Sequence, residues 1–305
     1  LTVDGILDFN GYLGVASVTN PASITVATTA NQQFNITLSA PGTTALVEID
    51  CDWTGTEQYS GSPISGASGA NDLDVQVYLQ ATLTIVDITD VTASAPYVAG
   101  QTFTVSVNYQ NTGGVTASNI DSTLDFNGYA GIGTVSNPAP INVLASSTGS
   151  QQFTITLLST ATTQNPVIID ASFAGASEQY SGRSLSDATG NLNDLELPVQ
   201  SLADLVVTSV SDLTSTSPYT YGESFIMRVT VENQGGTTIE NVTVSMPFAG
   251  FAGLVTANTT YSGITLGTLG ANATITLDFN ITISDGALEG YHSFYAYASG
   301  DEQYT

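Results

Sequence analysis

Apolar and polar residues alternate along most of this chain with a period of two. In Phe103-Val105-Val107-Tyr109 the apolar side chains take one parity, and Thr104, Ser106 and Asn108 take the other. Phe225, Met227, Val229 and Val231 read inward in the same way, with Arg228, Thr230 and Glu232 outward. Further strands are predicted over Phe34-Ile36-Leu38, Phe153-Ile155-Leu157 and Leu277-Phe279-Ile281-Ile283, and Val47-Ile49-Cys51-Trp53 corresponds to Val167-Ile169-Ala171-Phe173. Strands with one apolar face fit antiparallel sheets packed face to face. No stretch of ten or more residues shows helical periodicity. Asn10-Gly11, Gly113-Gly114, Asn127-Gly128 and Gly235-Gly236 mark turns.

The pattern recurs at domain scale. Phe103 to Gly114, FTVSVNYQNTGG, returns as Phe225 to Gly236, FIMRVTVENQGG, and the shift from Asn111 to Asn233 is 122 residues (233 − 111). Pro96-Tyr97 and Pro218-Tyr219 keep that shift, and so do Asn71-Asp72-Leu73 and Asn193-Asp194-Leu195. A repeat of this length with seven or so short strands predicts an all-β chain of tandem immunoglobulin-like, Greek-key β-sandwiches. A jelly roll or another Greek-key sandwich is the competing architecture.

The repeat frame divides the chain into residues 1–80, 81–202 and 203–305. Leu7 to Tyr12 matches Leu124 to Tyr129, so the first repeat lacks the counterpart of roughly 81 to 117. Glu302-Gln303-Tyr304 matches Glu57-Gln58-Tyr59 and Glu178-Gln179-Tyr180, so the third stops before its last strand. An incomplete sandwich exposes apolar surface and an open edge. Two sources for the missing strands stay open: further repeats of a longer chain, or strand addition between copies in a homopolymer. Spacers are short at both joints, near Leu79 to Leu83 and Val199 to Ala203, which predicts a stiff array.

Composition narrows the partners. Of 305 residues only two are Lys or Arg against 27 acids, a formal net charge of −25. That balance argues against nucleic acid and anionic membrane as partners, because their phosphates call for cationic side chains. Cations are the natural counter-charge. No apolar run reaches transmembrane length. The chain does not begin with Met and shows no signal peptide, which reads as a mature product or an excerpt. The single cysteine, Cys51, excludes an intrachain disulfide and reads as a small core residue.

Enzyme signatures are missing. The lone His292 lacks the partners of a triad or a His-based metal site, and without Lys there is no phosphate-binding loop. Five triplets have the form of N-glycosylation acceptors, at Asn35, Asn241, Asn258, Asn272 and Asn280. Asn35, Asn241 and Asn280 fall on outward strand positions, and Asn258 and Asn272 in loops. A loop with Asp187, Asn191, Asn193, Asp194 and Glu196 gathers oxygen ligands of the kind calcium takes, and a polar turn explains the same residues. Tyr12, Tyr59, Tyr129, Tyr180 and Tyr304 recur at equivalent positions and read as core or corner residues, with a sugar-binding platform as the alternative.

Ala203-Asp204-Leu205-Val206-Val207-Thr208-Ser209-Val210, then Tyr221-Gly222-Glu223, then Val229 to Gly235, resembles the CARDB family of bacterial and archaeal surface proteins. Leu83 to Val86, Ala99-Gly100-Gln101 and Asn111-Thr112-Gly113 are similar in the second repeat. The likeness covers about the first 45 residues of those two repeats, and the remainder of each is longer than the family's pattern. It implies an extracellular structural array or an adhesive surface, with no catalytic residues. Together with the acceptor triplets and the scarcity of cysteine, it points to an archaeal cell surface. The expected function is that of a filament, sheath or surface-layer component. An adhesin stalk or carbohydrate-binding module is the alternative, with surface glycans as its partner.

Overall fold

The computed structural model describes residues 1–39, 44–67, 69, 72–186, 194–214, 218–247, 254–256, 264–284, 287 and 289–303. All regular structure among them is β. In the first segment the strands are β1 (Thr2–Asp8), β2 (Val15–Thr19), β3 (Ile24–Thr25), β4 (Asn35–Leu38), β5 (Ala45–Thr56), β6 (Pro63–Gly66) and β7 (Leu73–Val77). The middle segment holds β8 (Leu83–Asp90), β9 (Tyr97–Val98), β10 (Thr102–Asn111), β11 (Ala117–Asp125), β12 (Ile132–Val135), β13 (Ile141–Val143), β14 (Ser147–Leu157), β15 (Gln164–Ala174), β16 (Ser177–Glu178) and β17 (Leu195–Gln200). The last holds β18 (Leu205–Asp212), β19 (Ser224–Asn233), β20 (Ile239–Ser245), β21 (Leu254–Thr256), β22 (Ile264–Leu269), β23 (Thr274–Ile283) and β24 (Tyr297–Glu302).

Two sheets enclose the core of residues 81–202. One runs β12-β14-β10-β8, and the other runs β13-β11-β15-β17-β9 with β16 on β11. The alternation in β10 is the reason: Phe103, Val105, Val107 and Tyr109 are all buried and meet Ile120, Ile169 and Phe173 from the facing sheet. Each such side chain removed from water contributes about 1.5–3 kcal/mol. The Tyr109 hydroxyl would be costly there unpaired, and it donates to Gln151 Oε1 at 2.7 Å and contacts Ser122 Oγ. Sheet order recurs on both sides. β21-β23-β19-β18 follows the order of β12-β14-β10-β8, and β3-β1-β5-β7 follows that of β13-β11-β15-β17.

Two departures from the parity reading have local causes. Ser106, on the outward parity, is buried because it is short and flanked by Gln152 and Thr89 on the neighbouring strands. Cys51 and Trp53 are only half-buried, and Ile36 and Leu38 are exposed, since the sheet containing β4 has just two described strands. Gln32, the counterpart of Gln151, accepts the Gly5 N–H at 2.8 Å. The Asn10-Gly11 and Asn127-Gly128 turns form as predicted, with positive φ at all four residues.

Among the described residues, strands β8 and β18 each pair on one side only, with β10 and β19. Both carry a bulge at the same repeat position, at Val86 and Thr208. Bulges twist an edge away from incoming strands, so these two long edges are protected against sideways sheet growth.

Candidate functional site

One elaborate polar construction is made twice among the described residues, where one segment passes into the next. It starts from the last residue of β10 and of β19. Asn111 and Asn233 are fully buried. Asn111 Oδ1 accepts the N–H groups of Thr82 (3.2 Å) and Gly113 (3.0 Å), and its amide donates to the carbonyls of Val115 (2.8 Å), Val143 (3.2 Å) and Leu144 (3.2 Å). Asn233 repeats the set with Asp204 (3.2 Å), Gly235 (3.0 Å), Thr237 (2.7 Å), Leu269 (3.1 Å) and Gly270 (3.1 Å). A buried amide must find partners for its donors and acceptor, and here every partner is backbone.

The glycines that follow let the preceding segment approach. A methyl group on Gly113 would collide with Gln80 O and Ala81 Cα, and one on Gly235 with Leu202 O and Ala203 Cα. Gly114 N donates to Leu79 O at 3.1 Å and Gly236 N to Leu202 O at 3.4 Å. From the preceding segment, Thr44 Oγ1 accepts the Leu79 N–H at 2.9 Å and Thr163 Oγ1 the Ser201 N–H at 3.0 Å. Glu178 closes the first clasp by accepting the Ala81 N–H at 2.5 Å, and Glu302 closes the second by accepting that of Ala203 at 2.9 Å.

Glu178 also pairs with Arg183 at 2.9 Å and accepts from Ser181, while Arg183 donates to Ala81 O at 2.8 Å. Burial acts to raise the Glu178 carboxyl. The hydrogen bonds from Arg183, Ser181 and Ala81 outweigh it and hold the group below the usual carboxylate range. A depressed folded value means that this contribution is present above the unfolded value and is lost as pH falls through the folded one.

The predicted sites fall in several places. Asn35 in β4 and Asn280 in β23 are exposed. Asn241 is exposed at the bulge of β20, and its amide donates to Asp301 Oδ2 at 3.1 Å. Its φ of 51° matches the 57° of Asn119 at the equivalent bulge of β11, and Asn272 takes 55° in a turn. Asparagine tolerates this left-handed region better than most residues, so the backbone alone accounts for Asn241 and Asn272. Asn258 lies outside the described residues.

Of the calcium set, Asp187, Asn191 and Asn193 lie outside the described residues. Asp194 precedes β17 and Glu196 lies in it; among the described residues no three His, Cys, Asp or Glu are grouped to hold a metal ion. What the strands do bring together is like charge. Asp125 stands directly opposite Asp170, and Asp8 opposite Asp50. Burial, and then repulsion from Asp170 and Glu196, push the Asp194 carboxyl up. A raised folded value gives stability that is present below the unfolded value and lost as pH rises through the folded one. Asp170→Asn should therefore raise the melting temperature at neutral pH and low salt, and weaken its dependence on pH on the acid side. Cross-strand pairs are worth about 0.2–1 kcal/mol. A melting temperature unchanged in thermal scans from pH 3 to 7 would count against this account.

The recurring tyrosines divide. Tyr12 and Tyr129 are half-buried, and Tyr129 donates to Thr162 O at 2.8 Å. Tyr59 and Tyr180 are not core residues: they are 95% and 68% exposed, and Tyr180 stacks on Tyr78 across the first clasp with centroids 5.4 Å apart. Tyr304 lies outside the described residues. His292 is half-buried near β24.

No family model matches the chain, and no curated protein matches it. No helix among the described residues is long and apolar enough to cross a membrane.

Proposed function

We propose that this chain is an extracellular structural protein, a subunit or segment of a filament, sheath or surface layer built from tandem immunoglobulin-like sandwiches of the CARDB type. One observation carries the reading: the same backbone-to-side-chain clasp fixes both passages between segments, with equivalent residues 122 positions apart at Asn111 and Asn233. A chain meant to bend freely between modules has no use for a buried asparagine, two glycines and a carboxylate at every joint. Partners are copies of itself or further repeats. They join through completing strands or through acidic faces bridged by cations, calcium among them. Glycans on Asn35 or Asn280 would suit the same exposed setting.

Electron microscopy of the native material tests the proposal. Fibres or lattices with repeating contacts are expected, and dispersed rods at all concentrations would refute it. The exposed Tyr59 and the stacked Tyr78 and Tyr180 favour a second reading, an adhesin stalk that binds sugars. Rods that bind a glycan surface and lose it on Tyr180→Ala would select that reading. Calcium is tested separately: if it bridges the acidic faces, a chelator lowers the melting temperature, and an unchanged midpoint removes the ion.

Both cations are built into ordered structure, which bears on survival outside a cell. Arg183 N donates to Ser181 Oγ at 3.0 Å while its carbonyl accepts from Glu178 at 2.9 Å, and Arg228 lies within β19 with a bidentate bond to Asp278. A protease needs an extended, unpaired segment. Trypsin should leave the native chain intact and cut the denatured chain only after these two residues, into three pieces. Rapid cleavage of the folded chain on a gel would overturn this.

A further inference from the structure

We propose that the parallel contact between β9 and β17 is the mechanical clamp of residues 81–202, the patch that bears tension passed along the chain. The proposal rests on the structural reading above and assigns the load to particular bonds.

The points where tension would enter and leave lie at opposite ends of the sandwich. Ala81 is held beside Asn111 at one end of β10, where the adjacent Thr82 donates to Asn111. At the other end Leu157 N donates to Gln101 O at 2.9 Å, and Ala99 N donates to Gln200 O at 2.9 Å. The pull therefore runs along the strand axes. Strand β9 follows β8 from the entry point, and β17 leads directly to the exit at Ser201.

These two strands are parallel, with Tyr97 opposite Val199 and Val98 opposite Gln200. Tension draws them past one another in opposite directions along their own lengths. Their hydrogen bonds lie across the pull and must fail together, whereas a pair opened from one end gives up one bond at a time.

The patch is also sealed from water, which would otherwise replace each bond as it lengthened. Tyr97, Val98 and Val199 are each 1% exposed. Tyr97 stacks on Phe103 with centroids 4.2 Å apart and donates to Asp90 at 2.7 Å, and the Val98 N–H donates to Gln101 Oε1 at 3.0 Å. β9 cannot slide without dragging Tyr97 out of the core. The contact of β8 with β10 is also loaded along its length, but it lies at a sheet edge and is interrupted by the bulge at Val86. In the last segment Tyr219 repeats the anchor, stacked on Phe225 at 4.5 Å and bonded to Asp212 at 2.5 Å.

Single-molecule pulling of the whole chain from its two ends tests the assignment. Unfolding of this segment is recognised by its length increment, about 400 Å for 122 residues (202 − 81 + 1) fully extended. Ala99→Pro removes the N–H that bonds Gln200 and should abolish the high-force peak of that increment. Phe153→Leu loosens the core without changing a residue of the patch, and should lower the melting temperature while keeping the peak. A wild-type force in Ala99→Pro, or an equal loss in Phe153→Leu, overturns the proposal. Should Ala99→Pro fail to fold, the otherwise unaltered protein can be pulled between handles at Ser159 and Ser201, at one end of the sandwich. That geometry peels β17 away, so a low force is expected, and a force equal to end-to-end pulling refutes the clamp. Filament formation is scored independently: a chain that keeps the peak but never assembles removes the assembly reading and leaves the clamp in place.

Discussion

Asn111→Ala should lower the unfolding free energy of residues 81–202 by about 3–5 kcal/mol. The side chain is fully buried and satisfies two N–H groups and three carbonyls. Removing it leaves those backbone groups unpaired, and an unpaired buried group costs about 1–3 kcal/mol, offset in part where water can enter the cavity. Asn111→Asp is no gentler, because it sets a carboxylate against the carbonyl oxygens of Val115, Val143 and Leu144. Asn233→Ala should behave alike in the last segment. Denaturant unfolding gives the magnitude, and hydrogen exchange at Thr82 and Gly113 localises it. A loss below 1 kcal/mol with both amides still protected would mean that the clasp holds without its asparagine.

Gly235→Ala should act differently, on the relation between segments more than on either one. The added methyl meets Leu202 O and Ala203 Cα, which are backbone and cannot rotate aside. Either the end of β19 or the passage 202–204 must shift, at about 1–3 kcal/mol, the usual cost of overpacking. Small-angle scattering should show a broader distribution of shapes while the strand signal in circular dichroism is kept. Gly11→Ala is the control. Gly11 has φ 80° and open space around its Cα, so a methyl there meets only the conformational penalty, about 1 kcal/mol, and leaves the scattering unchanged. A Gly235→Ala profile that superimposes on the wild type would mean that the close approach is not what fixes the joint.

The strands were legible in the sequence because each has one apolar face, and period two is hard to mistake over ten residues of β10. Partners are less legible. Asn111-Thr112-Gly113-Gly114 reads as a turn, and in the chain it is also the socket for residues 79–82, because the groups it binds come from 29 positions earlier. Glu178 meets Ala81 across 97 positions, a separation that no local pattern reports. The available signal was the recurrence of Asn and Gly-Gly at a shift of 122 residues (233 − 111) and of Glu-Gln-Tyr at 124 (302 − 178). Exposure of Tyr59 and Tyr180 was equally hidden, since recurrence of a residue says that its position matters without saying on which side of the surface it lies. Asn241 and Asn272 carry two explanations at once, an acceptor triplet and a left-handed backbone, and only φ separates them.

Each contact of the clasp lies within one segment or between two adjoining ones. Inserting or removing one full period would therefore place the same asparagine and glycine pair at the new boundary. Overall length could then change in whole steps while the local joinery stays constant.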